Sequence, residues 1–119
     1  MKLLKIGLVA IILALIAKHL MAGSPALDVD LPDLIESGAL LIDVRSPSEF
    51  DGEHIEGAVN IPYTVIDREL RARDKDQPII LYCHSGARAK AARRTLEKAG
   101  YTQVINAGGM HHLKKQLGK

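Results

Sequence analysis

The chain has a single cysteine, no tryptophan, one phenylalanine and three tyrosines in 119 residues. One cysteine excludes an intramolecular disulfide and a zinc site built on several thiolates. It leaves two readings for that residue, a buried apolar filler or a reactive thiol. With so few aromatics, the core must be built from Leu, Ile, Val and Ala. The bases are not interleaved with exposed aromatics and no binding motif is present, so nucleic acid is not an expected partner. Charge of one sign is scarce in each half. Residues 28–56 contain nine acids (Asp28, Asp30, Asp33, Glu36, Asp43, Glu49, Asp51, Glu53, Glu56) and one base, Arg45. Residues 84–119 contain eight bases (Arg88, Lys90, Arg93, Arg94, Lys98, Lys114, Lys115, Lys119) and one acid, Glu97. The basic half is either a rim that attracts small anions or a set of solvated helix faces. The length suits one compact domain.

Long apolar runs are also missing, with one exception. Ile6 to Ala17 is an unbroken run of twelve residues, preceded by Lys2 and Lys5 and followed by Lys18. A helix of that length spans roughly 18 Å, short of a hydrocarbon core of roughly 30 Å. Extension from Leu3 to Ala22 reaches twenty residues if Lys5 and Lys18 snorkel to the interfaces. Residues 1–22 are therefore expected to be a targeting segment outside the fold. It is either a cleaved signal peptide, cut after Ala22 or Ala26, or an uncleaved anchor giving membrane contact. Either reading places the rest of the chain on the extracytoplasmic side of a bacterial cell envelope, because Lys2 and Lys5 stay inside. Residues 23–29 read as a linker and 30–119 as the domain.

Along the domain, strand and helix signals alternate. Asp30 is an expected N-cap, with Pro32 in the first turn and Gly38 ending a short helix. Ala39 to Val44 is an apolar run broken only by Asp43 and reads as a buried strand. Ser46 to Phe50 begins a loop or one helical turn. Ala58 to Ile61 is a short strand, Val65 to Arg73 a helix, and Pro78 to Tyr82 a buried strand. Ala87 to Ala99 reads as a helix with Ala89, Ala92, Leu96 and Ala99 inward, ended by Gly100. Gln103 to Asn106 is a last strand, Gly108-Gly109 a tight turn, and Met110 to Leu117 a last helix. The alternation implies a parallel sheet covered on both faces, with ligands beyond the carboxyl ends of its strands. The lone Cys83 lies at such an end, just before a helix start. That place aims backbone N–H groups at one spot, and the helix dipole and Arg88 favour the nucleophilic thiolate.

The residues now carry a resemblance. They are Leu41-Ile42-Asp43-Val44-Arg45, Glu49-Phe50, Gly52-Glu53-His54-Ile55-Glu56-Gly57-Ala58-Val59-Asn60-Ile61-Pro62, Cys83-His84-Ser85-Gly86-Ala87-Arg88, and Gly100-Tyr101 through Val104 to Gly108-Gly109. In order and spacing, from about Asp30 to Leu113, the chain resembles the rhodanese-like sulfurtransferases, in their small single-domain exported form. It departs from them at Leu113, in a region where the family often has Trp. The resemblance implies a three-layer α/β fold with a five-stranded parallel sheet flanked by helices, the apolar N-terminal helix standing outside it. It implies an enzyme in which Cys83 takes a sulfane sulfur from a small sulfur-containing anion such as thiosulfate, becomes a persulfide, and passes the sulfur to cyanide or a thiol.

By that resemblance His84, Ser85, Gly86, Ala87 and Arg88 form the active-site loop around Cys83. The backbone of the loop stabilises the sulfur anion, Gly86 lets it turn, and Arg88 holds it and favours an anionic donor. His84 either assists anion binding or is a solvated loop residue. Asp43, ending a buried strand, is expected to bond loop backbone near Cys83. Arg45 and Glu49, four apart, are expected to form a structural ion pair, with Arg45 at the pocket entrance. His54 is expected to be scaffold. His111 and His112 are adjacent and point apart, so no metal is expected, and neither is a cofactor. The chain is expected to act as a monomer. Two other functions compete. Phosphatases of the Cdc25-like type share the fold but use a Cys-x5-Arg loop, and here the spacing is Cys-x4-Arg. Non-catalytic rhodanese modules bind partners or deliver sulfur, but often lose the cysteine that is kept here.

Overall fold

The computed structural model describes residues 9–13 and 29–119. Residues 9–13 are helical and exposed. The remainder of the expected targeting segment, and the expected linker up to residue 28, lie outside the described residues. Among the described residues no helix is long and apolar enough to cross a membrane.

The domain opens with α1 (Leu31–Glu36). The Asp30 side chain caps it by accepting the Asp33 N–H at 3.2 Å, and Pro32 sits in its first turn. Strand β1 (Leu40–Asp43) follows, then α2 (Pro47–Gly52), β2 (Val59–Asn60), α3 (Ile66–Glu69), β3 (Ile79–Cys83), α4 (Ala87–Lys98), β4 (Val104–Gly109) and α5 (Met110–Leu117). The sheet order is β2-β1-β3-β4 with every pair parallel. All five residues of β3 are buried, as a central strand covered on both faces requires.

Alternation along the strands divides the core in two. Ile42, Ile79, Leu81 and Cys83 pack with Ile66 and Leu70 and with Ala89, Ala92 and Leu96 of α4. On the other face Leu41, Ile80 and Tyr82 pack with Leu31, Ile55, Met110 and Leu113. Leu113, in the region where the family often has Trp, is fully buried and simply fills this second cluster.

Three expectations are corrected. The resemblance implies five strands, and the described residues form four. The expected helix over Val65–Arg73 is the single turn α3. Beyond Leu70 the sequence is polar, and the Leu70 carbonyl accepts the Tyr101 hydroxyl and the Arg73 N–H, so it has no helical partner further on. Ala99 is exposed: α4 ends one residue earlier and Ala99 is its C-cap, while Ala89, Ala92 and Leu96 do face inward.

Candidate active site

Strand β3 delivers Cys83 to the carboxyl end of the sheet. The chain then makes a short loop and enters α4, the longest helix of the domain. Gly86 is the N-cap of α4 at φ +100°, a left-handed conformation that side chains resist. That turn swings the Gly86 N–H back onto the Cys83 Sγ, 2.9 Å away. The Gly86 carbonyl begins the helical ladder by accepting the Lys90 N–H at 2.9 Å. The N–H groups of the first turn of α4 have no acceptor within their own helix. Cys83 therefore sits where a sulfur anion meets a bonded N–H and the positive end of a helix. The sulfur is recessed, at 1% exposure, whereas His84, Ser85 and Ala87 are exposed and Gly86 and Arg88 half-buried.

The end of β4 fixes the loop from behind. Gly108-Gly109 is not the expected tight turn. It continues β4 through a bulge, so that Leu81 pairs with Asn106 but Cys83 pairs with Gly109. The backbone of Gly109 lies so close to the loop that a Cβ there would stand 2.5 Å from the His84 carbonyl oxygen. Asn106 bridges the two segments: its Nδ2 donates to the Gly86 carbonyl at 3.3 Å and its Oδ1 accepts the Gly108 N–H at 2.9 Å. Asn106 and Gly109 are the loop supports that the sequence reading missed.

Arg88 does not reach back to the loop backbone. It turns to α2, where its two terminal nitrogens donate to the two oxygens of Glu49 at 2.6 and 3.0 Å. Glu49 is held in turn by Ser46, whose hydroxyl and N–H donate to Oε1 at 3.0 and 3.3 Å. This is a capping box, with Ser46 Oγ accepting the Glu49 N–H. The hydrogen bonds from Arg88, helped by those from Ser46, pull the Glu49 carboxyl down from 4.5 to about 2. Arg88 is raised in response, chiefly by Glu49, with Cys83 adding to the effect.

The expected Arg45–Glu49 pair is thus corrected. Arg45 precedes the N-cap Ser46, so it is not on the helix that carries Glu49, and the four-residue spacing brings nothing together. Arg45 instead closes on Asp43, with Nε donating to both carboxylate oxygens at 3.0 and 3.1 Å and a terminal nitrogen at 2.7 Å. That nitrogen also donates to the Glu53 carbonyl at 2.6 Å. Arg45 is buried at 5% exposure and lines no entrance. Asp43 does not bond the Cys83 loop either. It pairs in register with Tyr82, whose side chain faces the opposite side of the sheet from Cys83. Tyr82 accepts the Ile55 N–H through its hydroxyl at 3.0 Å, and burial pushes its phenol well above the ordinary range.

His54 stacks on Phe50 at 3.7 Å, its Nδ1 2.7 Å from the Phe50 carbonyl oxygen, away from Cys83's bonding partners. His111 and His112 are exposed on α5. Among the described residues no group of three His, Cys, Asp or Glu side chains is placed to hold a metal ion.

The sequence model of the family described as "Rhodanese-like domain" matches residues 28–116. The chain is 44% identical over 71 residues to the uncharacterized protein YqhL of Bacillus subtilis, a match spanning 60% of this chain and 56% of that protein. It is 38% identical over 71 residues to the thiosulfate sulfurtransferase PspE of Escherichia coli, spanning 58% of this chain and 68% of that one. Among solved structures it superposes on a "rhodanese with anions from E. coli" with a TM-score of 0.58 at 39% identity, covering 63% of this chain and 91% of the other.

Proposed function

The chain belongs to the rhodanese-like domain family, and we propose from that premise that it is a sulfurtransferase working through a persulfide on Cys83. The observation that carries the reading is the Gly86 N–H on the Cys83 sulfur at the start of α4. A sulfur anion is stabilised there both before and after it acquires a second sulfur. The Cys83 thiolate attacks the outer sulfur of thiosulfate. A sulfur–sulfur bond forms at Cys83, the bond to the sulfonate group breaks, and the electron pair leaves with sulfite. Cyanide or a thiolate then takes the terminal sulfur and the Cys83 thiolate is restored. His84, Ser85, Gly86 and Ala87 supply the cradle, and Arg88, held by Glu49, stands beside it. Asp43 and Arg45 support the adjacent strand rather than the sulfur. The site residues all come from one chain, so a monomer suffices.

Transfer of sulfur from thiosulfate to cyanide tests this. Wild type is expected to form thiocyanate, and Cys83→Ser to lose at least about a thousandfold in rate. Mass spectrometry after thiosulfate alone should add one sulfur to Cys83. If wild type makes no thiocyanate and Cys83 gains no sulfur, the reading is wrong. The basic and apolar pattern of residues 1–22 supports export, with the domain on the extracytoplasmic side as an anchored or released protein. N-terminal sequencing of the protein recovered from cells separates these: an intact Met1 removes the cleaved-signal alternative.

A further inference from the structure

We propose, building on the sulfurtransferase reading, that Glu49 sets the charge class of the sulfur donor. By neutralising Arg88 at the mouth, it makes the site select singly charged sulfane donors over dianionic ones.

Arg88 is the one arginine or lysine of the active-site loop, and each of its terminal nitrogens donates a hydrogen to an oxygen of Glu49, so the two charges largely cancel. Glu49 is not free to step aside for a donor. It is anchored by Ser46 and by its place in the capping box, independently of Arg88. Its carboxyl, drawn down to about 2 chiefly by Arg88 and further by Ser46, stays ionised at any working pH. Arg45 is consumed by Asp43 and buried. On α4, Lys90, Arg94 and Lys98 make no ion pair among the described residues, but Lys90 lies about 200° around the helix from Arg88. Arg94 and Lys98 lie still further from the loop, where salt screens them. With Arg88 neutralised by Glu49, the backbone cradle and the positive end of α4, equivalent to about half a charge, hold the anion. That offsets part of one negative charge and leaves a second largely without a counter-charge from the loop.

Thiosulfate and benzenethiosulfonate separate the two cases with one chemistry. Thiolate plus thiosulfate gives persulfide plus sulfite, and three negative charges converge on the site. Thiolate plus benzenethiosulfonate gives persulfide plus benzenesulfinate, and only two converge.

The experiment measures kcat/KM for each donor with cyanide as acceptor, in the full chain as wild type, Glu49→Gln and the double variant Glu49→Gln with Arg88→Gln. The ratio of the two donors is the readout, because a merely structural role lowers both rates together. Glu49→Gln is expected to move the ratio toward thiosulfate by roughly three- to sevenfold, the Coulomb effect of one nearby charge in a partly solvated site. The double variant is expected to return it toward the wild-type ratio. An unchanged ratio in Glu49→Gln overturns the proposal, whatever the absolute rates. If that variant does not fold, the salt dependence of wild type decides. Added salt is expected to move the donor ratio toward thiosulfate, because it screens the second charge, and a thiosulfate rate that falls much more steeply than the other overturns the proposal. Sulfur transfer with an unmoved ratio removes only this inference, whereas no transfer from either donor removes the sulfurtransferase reading itself.

Discussion

Asp43–Arg45 and Glu49–Arg88 join the same two functional groups in two different surroundings. The first pair is two residues apart in sequence, with side chains 0% and 5% exposed, and is surrounded by further bonds from Asn60 and to the Glu53 carbonyl. The second spans 39 positions of the chain, with both side chains about one-third exposed, and ties α2 to the start of α4. A buried pair that loses one member leaves an unpaired charge in the core, and a solvated pair does not. The first pair therefore belongs to the stability of the sheet, and the second to the electrical character of the mouth beside Cys83.

The largest effect that tests this division is at Asp43. Asp43→Ala strands the Arg45 guanidinium and is expected to destabilise the domain by about 3–5 kcal/mol in chemical denaturation. A loss below about 1 kcal/mol would dissolve the distinction between the pairs. Gly109→Ala probes the loop between them. Its new Cβ meets the His84 carbonyl, so we expect a loss of about 1–3 kcal/mol from overpacking and a larger fractional loss of sulfur transfer than the change in stability explains. Unchanged transfer would show that the backing of the loop by β4 does not position Cys83. Glu49→Gln is the smallest in stability, at most about 1 kcal/mol, because its pair is solvated.

That last contribution has a defined pH window. The folded Glu49 carboxyl lies below its ordinary value, at about 2 rather than 4.5. Its stabilisation is thus complete above the unfolded value and fades as pH falls through the folded one. The stability difference between wild type and Glu49→Gln should be constant above about pH 5 and shrink toward zero near pH 2. A difference that persists at the acid end would mean the carboxylate charge is not what Arg88 reads.

Much of this arrangement was legible from local chemistry. Asp30 and Pro32 announce α1, the apolar run before Cys83 announces β3, and the alanines spaced along α4 announce its buried face. The departures from expectation share a cause. Spacing alone does not say which residues share an element. Arg45 and Glu49 stand four apart, yet the helix begins between them. The motif Ser46-x-x-Glu49 held the signal, since a capping box puts Glu49 inside the first turn and Arg45 outside it. Asp43 stands at a strand end, as Cys83 does, but a strand's alternation sends it away from Cys83. The partnership of Arg88 with Glu49, the bulge in β4 and the bridging by Asn106 are contacts between distant segments, and no local pattern encodes them.

The depth of the cysteine has a consequence of its own. A disulfide requires two Cα atoms within roughly 7 Å of each other. Cys83, at 1% exposure behind its own loop, does not offer that approach to a cysteine on another folded surface. A second sulfur bonded to Cys83 stands only about 2 Å from the first. The recess thus discriminates by size, favouring small reagents and a single carried atom over crosslinking to a neighbouring folded protein.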